Sequence, residues 1–229
     1  MKNFFFLLLT GFSALNLQAQ ENEFKAWNTI EYGMDISKKW SIDLSQHFRL
    51  KEGLKTVDSY ITQTELYYKP AKEWKISTQF RYYYRNDTKG GIQGFENMLR
   101  YRVGIEKKFK TKPGNFEFRT MYQNRFSIDR TNRSKKAVRY RSLFEWKIKN
   151  WSYDPKFYFE YIDEIKGDDQ KSYRYGVGTK IKFTDTRALS VSYFFERKVE
   201  PFHLDRSAHV LSLNYAFSKK EKEQAKEKK

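Results

Sequence analysis

The chain has only three histidines, so its options for Ser–His catalysis are few. Asp43, Ser45 and His47 alternate along one segment, and these residue types together can activate a serine for nucleophilic attack. On an extended strand, however, residues two positions apart stand about 6.5–7 Å from each other, beyond direct hydrogen-bond reach. We therefore interpret the spacing of these three residues as coincidental.

Arginine and glutamate recur at every second position through much of the chain, and they are the second set that could do chemistry. The net charge is +17. The basic set comprises Arg81, Arg85, Arg100, Arg102, Arg119, Arg125, Arg139 and Arg141, and the acidic set comprises Glu65, Glu96, Glu117, Glu145 and Glu160. Opposite charges on neighbouring strands would pair, and the excess of cations could attract anions.

These charges sit in strand-length segments with period-2 hydropathy. In the segment 74–84, Trp74, Ile76, Phe80 and Tyr82 fall on one side of an extended strand, and lysine, arginine, serine and glutamine fill most of the other. Eleven such segments of about ten residues can be counted between Phe24 and Phe217. They predict an all-β fold, an antiparallel up-and-down transmembrane β-barrel of 10 to 12 strands, apolar outside and charged within. The high aromatic content, 18%, suits such a protein.

The strand count leaves one discrepancy. Bacterial single-chain barrels have an even number of strands, so ten or twelve strands are favoured over eleven. Counted backward from the last strand, the segment 24–36 would begin at the outer face. Either this segment lies partly inside the lumen, or one strand has been split or missed.

The connections between segments alternate in length, as periplasmic turns and external loops do. Short connections are expected at 37–39, 70–73, 110–115, 149–154 and 184–187, and longer ones at 51–57, 86–94, 127–137, 165–170 and 198–207. Four tryptophans, Trp40, Trp74, Trp146 and Trp151, lie beside short turns. An indole is half apolar and half polar, so these four are expected to form an interfacial girdle at the periplasmic rim.

Three regions follow along the chain. Residues 1–19 carry one lysine, an apolar stretch and a small residue at Ala19, which is the layout of a cleaved secretory signal. Residues 20–217 are expected to form the barrel, and residues 218–229 a disordered charged periplasmic tail. The expected location is the outer membrane of a Gram-negative bacterium, so nucleic acid is not an expected partner.

Several motifs resemble one family of exported bacterial proteins. They are Trp27-x-x-Ile30-x-Tyr32, Gln46-His47-Phe48-Arg49 and the strand running from Arg100 to Glu106. These residues resemble those of the family called domain of unknown function 2490 (DUF2490), over roughly 23–217. The resemblance implies a membrane β-barrel and no catalytic assignment. It also implies that the barrel-assembly machinery reads a terminal aromatic residue, whose equivalent here is Phe217.

Two interpretations of the lumen stay open. A barrel of this size has little free width, so its charges would pair into a plugged, salt-bridged interior. Alternatively, the basic set would line a narrow anion-preferring pore. In both cases we expect a monomeric, non-enzymatic barrel of uncharacterised role without metal or cofactor. Its partners would be outer-membrane lipid and lipopolysaccharide, the latter through the cationic loop 129–136.

An enzyme is the competing hypothesis. His209 lies near Ser207 and Glu200 beside the last long loop, where acyl substrates could approach the outer rim. A Ser–His pair there would make the protein a lipid-modifying outer-membrane enzyme.

Overall fold

The computed structural model describes residues 21–88, 93–130, 134–167, 169–200 and 203–219, and its regular structure there is entirely strand. Each strand is amphipathic with period 2, which is why these segments form a sheet instead of helices. The strands are β1 (Glu21–Asp35), β2 (Trp40–Lys51), β3 (Thr56–Ala71), β4 (Trp74–Asp87), β5 (Gly94–Thr111), β6 (Gly114–Ser127), β7 (Ser134–Trp146), β8 (Lys156–Lys166), β9 (Lys171–Thr184), β10 (Arg187–Glu200) and β11 (His203–Lys219). Within the described residues, no helix is long and apolar enough to cross a membrane.

The eleven strands close into one barrel. Neighbours in sequence pair antiparallel, and β1 pairs with β11 in parallel, in an unbroken register from Glu21↔Arg206 to Met34↔Lys219. The predicted all-β barrel of 10 to 12 strands is confirmed, but the preference for an even number was wrong. After ten chain reversals the first and last strands run the same way, so an eleven-stranded barrel can close only through a parallel pair. Among the described residues no strand was split or missed, and the segment 24–36 lies in the wall as part of β1, which ends at Asp35.

Alternate side chains of each strand point out of the barrel and into it. On β5, Phe95, Leu99 and Val103 are exposed, while Glu96 and Arg100 between them are 1% and 8% exposed. Directly opposite residues of paired strands share a face, so the same division extends around the sheet. The outer surface is therefore apolar and aromatic, and the charged residues are enclosed.

The two ends of the barrel differ. At the tryptophan end, which carries the four tryptophans of the predicted girdle, the connections are 36–39, 72–73, 112–113, 147–155 and 185–186. At the other end, here called the loop end, they are 52–55, 88–93, 128–133, 167–170 and 201–202. Because the seam is parallel, β1 begins at the loop end and β11 finishes at the tryptophan end.

The predicted alternation of connection lengths was wrong at two places. The expected long loop 198–207 is mostly strand, because Lys198 pairs with Arg206 in the β10–β11 ladder. The expected short turn 149–154 belongs to the longest connection, 147–155. There Asp154 accepts hydrogen bonds from the Lys147 ammonium, 2.7 Å away, and from the Ile148 N–H, and both lower the pKa of its carboxyl.

The predicted terminal regions lie mostly outside the described residues. The signal segment 1–19 is not among them, nor are residues 220–229 of the predicted tail. Residues 218 and 219 belong to β11, so the barrel extends two residues beyond the expected boundary at 217.

The parallel seam can be tested with cysteines, because the chain has none of its own. Ile30 faces Tyr215 across the seam, within the Cα separation that a disulfide needs. The variant carrying Ile30→Cys and Tyr215→Cys is expected to crosslink on mild oxidation, measured as a mobility shift on a non-reducing gel.

The matched control carries Ile30→Cys with Leu211→Cys, four residues along β11 from the first position and therefore about 13 Å away. This pair should stay reduced. A crosslink in the control without one in the first pair would contradict the register between β1 and β11. Failure of both pairs to crosslink would contradict the closure of the barrel through these two strands.

Candidate functional site

A ladder of alternating charges crosses the lumen face of four neighbouring strands. Glu160 on β8 accepts two 2.7 Å hydrogen bonds from one terminal nitrogen of Arg139 and a 3.1 Å bond from Arg174. Arg174 in turn donates to Glu196 on β10 at 2.7 Å and 2.9 Å. The two carboxylates are 4% and 3% exposed. Burying such charges is costly, so this alternation is what allows four of them to lie side by side.

Glu65 on β3 is a second buried carboxylate of the lumen with several partners. Two amides, those of Gln63 and Gln79, donate to one of its oxygens, and an Arg102 nitrogen lies 3.5 Å from the other. The amide oxygens of the same glutamines accept hydrogen bonds from Arg81 and Arg100. Neutral amides thus link one carboxylate to arginines that it does not reach directly.

All eight residues of the predicted basic wall face the lumen, on β4 to β7. Their partners are of several kinds. Arg139 binds Glu160, Arg102 lies against Glu65, and Arg119 is 4.0 Å from Glu106. Arg141 lies over the ring of Tyr158 instead, at 4.9 Å. Arg85 stands in register between Ser59 and Glu96, and Arg125 between Arg100 and Lys135.

The predicted acidic partners also face inward, but three of the five bind cations outside the basic wall. Glu96 is 3.8 Å from Arg130, Glu117 is 3.9 Å from Lys108, and Glu145 is 3.3 Å from both Lys147 and Lys156. Arg130, which was expected to face lipopolysaccharide, turns toward Glu96 and Asp87. Of the remainder of that predicted loop, 131–133 lies outside the described residues and 134–136 begins β7.

The fifth tryptophan, Trp27, lies inside the barrel, and the sequence analysis missed its role. The guanidinium carbon of Arg49 is 3.8 Å from the Trp27 ring centre, and that of Arg174 is 5.4 Å away. Phe194 packs edge-on against the same indole at 5.1 Å. The sequence does contain a pattern that predicts this inward position, since Trp27 alternates with polar residues of β1 and lies between Lys25 and Thr29 on the same face.

Two apolar clusters fill parts of the lumen. Ile61, Tyr83 and Met98 form one across β3 to β5, and Phe194, Ala208 and Val210 form the other across β10 and β11. Ile61 and Val210 are 0% exposed, so no water reaches their side chains. Opposite Phe194 stands Gly176, where a Cβ would lie 2.5 Å from the Phe194 Cβ, so only glycine fits beneath that ring.

The structure corrects the argument about Ser45 and His47. The Ser45 Oγ lies 3.2 Å from His47 Nε2, because side chains lean along the strand and shorten the separation set by backbone rise. The other ring nitrogen, Nδ1, binds Thr29 Oγ1 at 2.8 Å instead of a carboxylate. The pair faces the lumen and Ser45 is 6% exposed, so substrate access is poor.

His209 and Ser207 lie on the outward phase of β11 at the seam, where Ser207 is only 3% exposed, and they do not bind each other. The Nδ1 atom of His209 is 2.5 Å from the Tyr193 hydroxyl, and its ring packs on Tyr193 and Phe195. Ser207 donates to Asn22 on β1. The predicted Ser–His pair is therefore not formed, and the side chain of Glu200 lies outside the described residues.

Exposed aromatic side chains form two belts on the outer surface, one toward each end. Trp40, Trp74, Trp146 and Trp151 are all exposed at the tryptophan end. Nearer the loop end lies a belt of tyrosine and phenylalanine, on β2 to β6 and β8 to β10, that the sequence analysis missed. Its ring pairs include Phe48–Tyr60, Tyr84–Phe95, Tyr101–Tyr122, Tyr161–Tyr173 and Tyr175–Phe195.

A model of one protein family matches this chain over residues 24–208, which covers all or part of every strand. The family is described as protein of unknown function DUF2490. The chain belongs to the DUF2490 family. No curated protein and no solved structure matches it.

A cavity of about 260 Å³ opens at the tryptophan end of this DUF2490 barrel, beside the parallel seam. The carboxylates of Glu31 and Asp43 line one side of it, and Lys180, Lys182 and Arg187 line the other. Asp43 can lie there because Gly33 opposite has no side chain. A Cβ on Gly33 would be 3.0 Å from the Asp43 oxygen. Within the described part of the chain, no cluster of acidic, histidine or cysteine side chains could hold a metal ion.

The ladder predicts unequal costs for removing single carboxylates. Glu160→Gln would leave Arg139 and Arg174 without their shared charge partner, so we expect a loss of about 3–5 kcal/mol in free energy of unfolding. Glu117→Gln weakens a long contact, 3.9 Å, to a Lys108 ammonium that is about half exposed, and should cost less than about 1 kcal/mol. Urea unfolding of both variants in the same detergent gives the comparison, and equal losses would show that the ladder does not stabilise the barrel.

Proposed function

We propose that this DUF2490 protein is a monomeric outer-membrane β-barrel without enzymatic activity, whose lumen is blocked by its own side chains. The observation that carries this proposal is the apolar belt around the outer surface. Phe80, Phe183 and Ile30 are 58–63% exposed on three different strands. Water-soluble monomers rarely expose contiguous apolar patches of this extent, whereas lipid would cover the belt.

The dimensions of the belt support a bilayer. On the outward face of β4, Trp74 of one aromatic belt and Tyr84 of the other are ten residues apart. At about 3.3 Å per residue and a strand tilt of about 40°, this corresponds to a height of about 25 Å. Outer-membrane barrels have an apolar band of that height between two aromatic girdles.

We assign the tryptophan end to the periplasm and the loop end to the outside. Four of the five connections at the tryptophan end have two to four residues, as periplasmic turns do. The expected secretory signal and the aromatic Phe217 on β11 suit export and recognition by the barrel-assembly machinery. Outer-membrane lipid and lipopolysaccharide would then surround the belt.

The burial of the lumen favours a blocked interior over an open pore. An open aqueous path would leave its lining wet, yet Ile61, Met98 and Val210 are at most 2% exposed. The charge ladder around Glu160 places four further side chains, joined by hydrogen bonds, in the lumen on β7 to β10. The narrow anion-preferring pore stays the competing hypothesis, and conductance separates the two.

The rim-enzyme hypothesis gains no support from the contacts around the outward histidine. His209 is engaged by Tyr193, and Ser207 is engaged by Asn22. A serine without a base within reach is a weak nucleophile. We therefore propose a role that depends on binding and structure.

The membrane location can be tested with two arginine substitutions. Phe80→Arg places a charge in the middle of the belt and should weaken folding into lipid vesicles by about 2–4 kcal/mol, whereas Ile165→Arg lies at the loop end of β8 and should cost about 1 kcal/mol or less. Urea titrations in vesicles measure both. A water-soluble protein would tolerate both changes equally, and that result would sink the proposal.

Planar-bilayer recording tests the blocked lumen. The purified protein should give no steady conductance, because under this proposal the two apolar clusters and the charge ladder block the lumen. Phe194→Gly removes the phenyl ring of the cluster on β10 and β11 and is expected to raise conductance, with Phe80→Leu on the outer surface as the control. A steady anion-selective current from the wild type would favour the pore instead.

A further inference from the structure

A row of four cations crosses the lumen face of β7 to β4 in direct register. The Cα pairs are Lys135↔Arg125, Arg125↔Arg100 and Arg100↔Arg81, and the row continues to Gln63 on β3. Like charges directly opposite each other on adjacent strands are destabilising. No carboxylate occupies a position of this row within the described pairs.

Two carboxylates lie near the row, but neither stands between Arg81 and Arg100, which are directly paired. Glu164 lies 3.6 Å from Lys135 at the mouth, and Glu65 is bound by Gln79 and Arg102. Arg81 and Arg100 have the neutral amide oxygens of Gln63 and Gln79 as hydrogen-bond acceptors. The deep half of the row therefore has donors and positive charge without a matching negative charge.

Arg100 carries a hydrogen-bond donor that has no acceptor among the described residues. Its side chain is buried, and its Nε–H has no hydrogen-bond partner within the described residues. The neighbouring Arg102 Nε is also buried and without a partner there. Unsatisfied buried donors are rare in proteins and often mark the place of a bound ion or water.

The row of cations begins at the loop end of the barrel, where an anion could enter. Lys135 is the second residue of β7 and Arg125 is two residues from the end of β6, so both stand at the loop end. Arg100 and Arg81 lie six residues from that end of their own strands. The cations thus lead from the mouth, along β7 and β6, to buried positions on β5 and β4. Such a path concentrates anions and guides them inward.

We propose that the lumen binds a phosphate-bearing anion between Arg81 and Arg100, entering from the loop end past Lys135 and Arg125. Phosphate offers oxygens that two guanidinium groups can bind through paired hydrogen bonds, and its charge offsets the like charges of the row. The Tyr83 ring, 5.5 Å from the Arg100 guanidinium carbon, borders the site on β4, and the path from the loop end runs beside it along β7 and β6. This inference rests on the barrel fold and does not depend on its membrane location or on whether the lumen conducts.

The test begins with the wild-type protein in detergent micelles. Sodium phosphate should raise the melting temperature by at least about 3 °C over sodium chloride at equal ionic strength, with saturation. A second arm compares lipopolysaccharide with its dephosphorylated form. Stabilisation by inorganic phosphate identifies a free anion as sufficient, and stabilisation only by the phosphorylated lipid identifies a headgroup. No difference from chloride in the first arm and none between the lipid forms in the second would overturn the proposal.

Variants locate the site. Arg100→Gln and Arg81→Gln should each weaken phosphate binding at least about tenfold, since each removes charge-assisted hydrogen bonds. Without phosphate, Arg100→Gln should melt no lower than the wild type, because it relieves repulsion within the row. Lys156→Gln removes the same charge at the tryptophan end and should bind phosphate as the wild type does. Wild-type affinity in both arginine variants would also overturn the proposal.

Discussion

Closure of the sheet is the constraint on which the rest of this structure depends. A closed barrel sends every second side chain into a confined interior, and in this chain those side chains are largely charged. Charges removed from water must find partners or pay a desolvation cost of several kcal/mol each. The arrangement of the lumen is therefore a solution to that electrostatic problem, and the apolar exterior is the other face of the same period-2 pattern.

The odd number of strands follows from the same closure. Eleven amphipathic segments can form one continuous wall only if β1 lies parallel to β11, and the register holds from Glu21 to Met34 without a bulge. Small and apolar groups pack inside the barrel beside this pair of strands. Gly176 gives room to Phe194, and Ala208 and Val210 on β11 pack beside Trp27 of β1. The seam is thus apolar inside around Trp27, whereas β4 to β7 carry most of the arginines.

Which side of each strand faces inward could be read from the sequence, because a strand with Trp74, Ile76 and Phe80 on one face leaves no choice of orientation. The tryptophan girdle followed from the same pattern. The partners of individual charges could not be read in this way. That Glu160 binds Arg139 and Arg174, while Glu145 binds lysines, depends on the register between strands, which local periodicity does not fix. The contact of Ser45 with His47 depends on how two side chains lean, which backbone spacing does not report.

The lumen holds its buried arginines in three ways, and the differences between them are informative. Arg139 and Arg174 bind carboxylates, Arg81 and Arg100 bind amides, and Arg49 and Arg141 lie over aromatic rings. Only a carboxylate neutralises the charge, since amides and rings supply dipoles or quadrupoles. The arginines held by rings are separated from one another, on β2 and β7. Those held by amides are adjacent, on β4 and β5, and there the positive field of one adds to that of the other. An anion between Arg81 and Arg100 would supply the negative charge that none of the described residues places there.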